Sequence, residues 1–185
     1  MALTYTPPGE LGSSAPDFLL PGIDGNTYSL ESFAGSKALV VMFICNHCPY
    51  VQAVEDRLIQ TSLELLALTA KVVAISSNDA VKYPADGFDR MRFRADEKNY
   101  PFPYLYDETQ EVARAFGAVC TPDFFVYDKN LRLSYRGRLD DSWKDATQVT
   151  KLELRHAVLE LLQDRPAPMT QYPSMGCSIK WKSLT

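Results

Sequence analysis

The chain has 185 residues, 46% of them hydrophobic and 23% charged, the balance of a globular protein long enough to bury a core without disulfide staples. Its net charge is −4 and it has no long basic run, which argues against a nucleic-acid partner. No apolar run approaches the ~18–20 residues of a membrane helix, and MALTYTPPGELGSSAPDF lacks the basic start and apolar stretch of a secretory signal, so no membrane association and a cytoplasmic location are expected.

Residues 1–14, rich in Pro, Gly and Ser, are expected to be irregular. DFLLPGIDGNTYSL (17–30) holds two short β-like runs around the turn signal DGN, and SLESFAG then suggests a short helix closed by Gly35. ALVVMFI (38–44) is seven apolar residues in a row, the pattern of a strand buried on both faces. Val51, Val54, Leu58, Ile59, Leu65 and Leu66 recur at helical spacing to about Leu68, and KVVAISS (71–77) reads as a second buried strand. Together they predict a βαβ unit with a right-handed parallel crossover. DGFDRMRFRADEKN (86–99) reads as a helix and PYLYD (103–107) as a short strand.

DETQEVARAFG (107–117) predicts a helix capped by Asp107, with Gln110 three residues on, and ended by Gly117. DFFVYDKNLRLSYRG (123–137) predicts an antiparallel hairpin, and TKLELRHAVLELLQD (150–164) an amphipathic helix with Thr150 and Glu153 as a candidate capping box. Residues 166–185 show no periodicity and are expected to wrap over the surface as an irregular tail. Neither a repeat nor a linker divides the chain, so one domain spanning 1–185 is expected. Its class is α/β, with a central mixed sheet flanked by helices.

The chemistry concentrates where the first buried strand runs into its helix, in Cys45-Asn-His-Cys48-Pro. Open α/β sheets build their sites at such strand ends. A Cys-x-x-Cys pair in this context reads as a redox motif rather than a structural framework. A helix N-terminus favours negative charge and so the attacking thiolate. Cys45, nearer the surface, is expected to attack a substrate disulfide, and Cys48 to resolve the mixed disulfide. His47, as a cation between them, would stabilise the Cys45 thiolate and make the pair more oxidising; its alternative role is a solvent-facing helix residue.

Cys120 reads either as a third functional thiol or as a small buried hydrophobe, and Cys177 as a site neighbour or an incidental tail residue. Cys45, Cys48 and His47, or Cys120, supply three or four soft metal ligands, but neither a second Cys-x-x-Cys nor a His pair closes the set, so no metal is expected. His156 reads as structural or solvated. Pro49, Tyr50 and Phe124 are candidates for the rim of a groove beside the thiols.

CNHCP after VVMFI, with VCTPDFF some seventy residues on, resembles the thioredoxin superfamily. APDFLLPGIDGNTYSLESFAGSKALVVMF is similar to the N-terminal hairpin of its peroxiredoxin and membrane-anchored thioredoxin-like branch. SNDAVKYPADGF, YPFPYLYDETQEVARAFGAVCTPDFFVYD and PSMGCSIKWK look like a peroxiredoxin-like, AhpC/TSA-related group of thioredoxin-fold proteins. The resemblance runs from about Ala15 to Lys182. It implies a thioredoxin-like fold with Thr121-Pro122 as the cis-proline loop facing the cysteine pair, where Thr121 and Pro122 hold an extended substrate.

The chain also departs from those patterns. Peroxiredoxins place a proline and a threonine or serine seven and three residues before the peroxidatic cysteine; counted from Cys48, those positions hold Val41 and Cys45. The position of their later arginine falls near Thr121. Thioredoxins place a Trp before the first cysteine and a buried acid on the preceding strand, where this chain has Ile44 and apolar residues. The leading expectation is a thiol–disulfide oxidoreductase acting on a disulfide-containing protein or a small thiol, with an unknown reductant. It needs no dissociable cofactor, because the redox-active disulfide carries the electrons. The alternatives are a thiol-dependent peroxidase using Cys48 or Cys45, and a non-enzymatic metal- or redox-sensing protein.

Overall fold

The computed structural model describes residues 3–183. In chain order the elements are β1 (Leu3–Tyr5), β2 (Leu19–Pro21), β3 (Thr27–Ser29), β4 (Ala38–Phe43), α1 (Pro49–Ala67), β5 (Lys71–Ser76), α2 (Phe88–Lys98) and β6 (Tyr104–Tyr106). Then come α3 (Glu111–Phe116), β7 (Cys120–Thr121), β8 (Asp123–Asp128), β9 (Leu133–Gly137), α4 (Glu153–Leu162) and β10 (Met175–Ser178). Single 3₁₀ turns occupy Leu30–Phe33, Pro84–Asp86 and Ala146–Gln148.

The central sheet has the order β6-β5-β4-β8-β9. Its β4–β5 and β5–β6 pairs are parallel, and its β4–β8 and β8–β9 pairs are antiparallel. The unbroken apolar run of β4 has its physical reason here: the strand lies between β5 and β8, and every residue from Ala38 to Phe43 is at most 1% exposed. Alternate β4 side chains serve two cores. Val40 and Met42 pack with Val54 and Leu58 of α1 and Val158 of α4, whereas Leu39, Val41 and Phe43 pack with Phe116 of α3 and Phe18 and Leu20 of the β2–β3 hairpin. Burying each such side chain contributes about 1.5–3 kcal/mol, so the strand end that carries the site is firmly anchored.

α1 begins with Pro49 at its first position, where a missing N–H costs nothing, so Cys48 becomes the N-cap. The expected capping box at α3 forms by half. Asp107 Oδ2 accepts the Ala113 amide at 2.9 Å, but Gln110 turns away and donates to the carbonyls of Ser77 (2.6 Å) and Lys180 (2.8 Å). At α4 the Thr150–Glu153 box does not form, because Thr150 donates to Asp141 and Glu153 accepts from Arg138.

Both chain ends differ from the irregular segments expected at 1–14 and 166–185. Leu3–Tyr5 and Met175–Ser178 are strands, joined with β7 into a second sheet of order β1-β10-β7. Leu3 pairs with Cys177, and Cys177 pairs in turn with Thr121. Strands of two to four residues lack readable alternation, and their partners lie far away in sequence. Gly176 makes the contact feasible, since a Cβ there would run into the Thr121 carbonyl oxygen. The expected irregularity of residues 1, 2, 184 and 185 lies outside the described residues. Among the described residues no helix is long and apolar enough to cross a membrane.

Candidate functional site

The site is built where β4 ends, α1 begins and the loop between β7 and β8 passes opposite. The Thr121–Pro122 bond is cis, and Thr121 reaches both thiols. Its Oγ1 lies 3.4 Å from Cys45 Sγ, and its carbonyl oxygen lies 3.1 Å from Cys48 Sγ. Both cysteines are buried, Cys45 at 2% and Cys48 at 0% exposure.

The two thiols are electrostatically unequal. Cys48 is lowered to about 5, chiefly by the hydrogen bond from Cys45, with further donation from Thr121 and from the amides of Cys177 and Val51, against the opposing effect of burial. Cys45 is raised well above the ordinary thiol range by its hydrogen bond to Cys48, by burial and by the nearby Asp86 carboxylate. The Thr121 carbonyl favours a protonated Cys48, but one acceptor stands against several donors and the helix N-terminus, so the thiolate belongs on Cys48. These shifts favour ionisation at Cys48 over Cys45. The reason is local: the helix starts at Pro49, which gives its N-cap to Cys48.

Asp86, fully buried, organises the turn between the cysteines. Oδ1 accepts the amides of Asn46 (2.9 Å) and His47 (3.1 Å), while Oδ2 accepts from Asn78 Nδ2 (2.8 Å) and His47 Nδ1 (2.5 Å). His47 is held by this carboxylate and stacked on Tyr83 at 5.2 Å. His47 Nε2 is buried and has no hydrogen-bond partner among the described residues. His47 is thus fixed in place rather than free in solvent. A buried acid thus reaches the turn from the 3₁₀ segment Pro84–Asp86 rather than from the strand before the cysteines. Cys45, His47 and Asp86 also present metal-capable atoms within 4.8 Å of one another, a different set from the ligands considered in the sequence. Four donors already fill the Asp86 carboxylate and make it a hydrogen-bond hub, so a cation there would compete with them.

The remaining sequence candidates separate. Tyr50, Pro122 and Phe124 line a pocket of about 180 Å³, joined by Trp143, Tyr172 and Met175; Tyr50 packs on Trp143 at 4.5 Å. Pro49 is exposed at the start of α1. Cys120 is buried, with its Sγ 3.8 Å from the Pro122 carbonyl, and burial with the nearby Asp123 carboxylate pushes its thiol well up. It is Cys177 that joins the core cluster of Cys45 and Cys48, whereas Cys120 stands outside it. His156 is exposed on α4 and faces Glu160.

Two features lay beyond sequence reasoning, the Asp86 hub and the pairing of the C-terminal segment, and Cys177 takes the first of its two expected places, beside the site. Residues 175–178 occupy the β7 edge where an extended substrate was expected to bind. Lys180 ties that segment down through Asn78, its amide donating to Asn78 Oδ1 at 2.8 Å. The signal lay in SNDAVKYPADGF and PSMGCSIKWK, stretches that carried a family likeness but no assignable chemistry.

The AhpC/TSA family model matches residues 11–136, most of the chain and all of the β4–α1 junction. The chain belongs to the AhpC/TSA family. Within reach of this AhpC/TSA protein is the crystal structure of an uncharacterized conserved protein from Geobacillus kaustophilus, 45% identical. It superimposes with a TM-score of 0.95 over 100% of this chain and 99% of that one. Thiol-disulfide oxidoreductase ResA of Bacillus thuringiensis subsp. konkukian is 24% identical over 128 residues, 65% of this chain and 65% of its own length, just under two thirds. Peroxidoxin BcpB from Mycobacterium tuberculosis, 18% identical, superimposes with a TM-score of 0.62 over 83% of this chain and 96% of that one. The fold is thioredoxin-like, a central mixed sheet flanked by helices.

Proposed function

We propose that this protein is a thiol–disulfide oxidoreductase whose working couple is Cys45–Cys48, and that it donates its disulfide to small thiols. The observation that carries this reading is the pair of thiols at the α1 N-terminus, Cys48 at its N-cap, both meeting Thr121 of the cis-proline loop; the lowered Cys48 and raised Cys45 agree with it. In the oxidised protein a substrate thiolate attacks Cys45, and Cys48 leaves as a thiolate held by the α1 N-terminus and its donors. A low-pKa leaving thiol departs fastest, and stabilising the reduced form makes the couple more oxidising. A second substrate thiolate then attacks the substrate sulfur of the mixed disulfide, releasing the substrate disulfide and Cys45, which recovers a proton. The similarity to ResA, a thiol-disulfide oxidoreductase, supports the reaction class.

The substrate class follows from access. Both sulfurs are buried, and the backbone edge beside Thr121 is filled by β10, so a small thiol or disulfide fits where an extended polypeptide does not. The test is mixed-disulfide trapping on the reduced chain with a small disulfide reporter, which loses one half as a thiol when the other half is captured. A Cys48→Ser chain should accumulate the adduct on Cys45, whereas Cys45→Ser should not accumulate it there or turn over; an unmodified Cys45 in the Cys48→Ser chain defeats the reading.

The second reading, a thiol peroxidase, is favoured by one observation, an ionised Cys48 in an AhpC/TSA chain. Against it, the position three residues before Cys48 carries a thiol in place of the peroxidase hydroxyl, which removes a transition-state donor. Rapid peroxide consumption with sulfenic acid on Cys48 would place it first.

A further inference from the structure

Cys177 lies in β10, the strand that covers the β7 edge beside the cysteine pair. It pairs with Thr121 across the antiparallel β7–β10 ladder, and directly opposed residues in such a ladder point their side chains to the same face. On that face Thr121 Oγ1 meets Cys45 Sγ. The backbone amide of Cys177 donates to Cys48 Sγ, and its thiol also hydrogen-bonds that sulfur. Cys45, Cys48 and Cys177 are buried together in one cluster. Cys48 therefore has a thiol neighbour on each side, one from the active-site turn and one from the C-terminal strand.

We propose that Cys177 is a third redox thiol that exchanges with Cys45 for Cys48, forming a Cys48–Cys177 disulfide that fastens β10 to the start of α1. The inference rests on Cys48 being redox-active, as proposed above. In the exchange the Cys177 sulfur attacks Cys48 of the Cys45–Cys48 disulfide. The Cys45–Cys48 bond breaks, the Cys48–Cys177 bond forms, and the Cys177 proton passes to the departing Cys45 sulfur. One disulfide and one thiol exist before and after, so no outside oxidant is consumed. The product leaves Cys45 as a lone thiol and closes the β7 edge covalently. The same thiol can resolve an adduct on Cys48: a small disulfide leaves one half on Cys48, and Cys177 displaces that half as a thiol.

The distinguishing experiment oxidises full-length Cys45→Ser with glutathione disulfide and maps disulfide-linked peptides by mass spectrometry without reduction. The expected product is an intramolecular Cys48–Cys177 link exceeding the Cys48–glutathione adduct by about tenfold or more, because the neighbouring thiol acts at high effective concentration. Adding Cys177→Ser to that chain should reverse the ratio and leave glutathione on Cys48, while adding Cys120→Ser should change nothing. Cys45→Ala repeats the comparison without an oxygen at position 45, in case the serine disturbs the turn. A glutathione adduct that persists in Cys45→Ser, a Cys48–Cys120 link, or a Cys177 that stays reduced in both Cys45 variants overturns the proposal. The wild-type chain treated alongside reports separately on the proposed function. If it forms no Cys45–Cys48 disulfide, that reading fails; if it does while Cys45→Ser forms no link to Cys177, only the third thiol fails.

Discussion

Titrating the reduced protein tests the electrostatics on which the site depends. Cys48 is lowered from 9.0 to about 5, so at pH 7 roughly 99 chains in 100 carry its thiolate, against about one in 100 for an ordinary thiol of that starting value. Thiolate absorbance in the ultraviolet should rise once, near pH 5, and stay level through pH 8, because Cys45, Cys120 and Cys177 are all pushed upward. A hydrogen bond to a charged group contributes about 1.5–3 kcal/mol, so Cys45→Ala, which removes the largest stabilising partner, should move the break up by about one to two pH units.

Folding stability carries the same signature. A thiol lowered in the folded state binds fewer protons there, so its contribution is complete above about 9, declines as pH falls and is gone below about 5. Between pH 6 and 7.5 the reduced protein should therefore gain about 1.4 kcal/mol per pH unit relative to the oxidised protein, and Cys45, raised in the fold, flattens the gain as pH approaches 9. Asp123, buried and raised to about 6, works in the opposite sense only from its ordinary value up to that pH, and it is common to both redox forms. A titration with no rise before pH 8, or a reduced-minus-oxidised stability that is flat over this window, would refute the reasoning.

Other outcomes follow from the surrounding structure. Asp86→Ala leaves the part-buried amides of Asn46 and His47 without their acceptor and should cost about 2–4 kcal/mol in urea unfolding; a loss below about 1 kcal/mol would show that the turn holds itself. Arg136→Ala strands the fully buried Asp123 without its 2.9 Å partner and should also cost about 3–5 kcal/mol, read by the same assay. Because β10 fills the β7 edge, hydroxyethyl disulfide should react faster than insulin disulfides with the reduced protein; the reverse order would mean that β10 leaves the edge readily.

Legibility in the sequence followed the length and regularity of each element. The β4–α1–β5 unit was readable because seven consecutive apolar residues and a long helical period leave few alternatives, and the β8–β9 hairpin because turn residues separate two alternating runs. The cysteine pair was readable from its place at that strand end. β1 and β10 were not, since each is only three or four residues long and their pairing joins Leu3 to Cys177 across nearly the whole chain. Asp86 was hidden for a related reason: it reads as the first residue of the helical stretch 86–99, and only the fold brings four donors to its carboxylate. The direction of ionisation was within reach, because Pro49 at the first helical position already places Cys48 at the N-cap.

The measurement that bears most directly on the central claim is the reduction potential of the Cys45–Cys48 couple, followed against pH in defined thiol–disulfide buffers. A reversible two-electron couple less negative than the about −270 mV of thioredoxin is predicted, with a slope of about 30 mV per pH unit above pH 5 that doubles below it as Cys48 takes up its proton. Failure of Cys45 and Cys48 to join reversibly, a potential more negative than thioredoxin's, or a slope near 59 mV per unit through pH 8 would contradict the account.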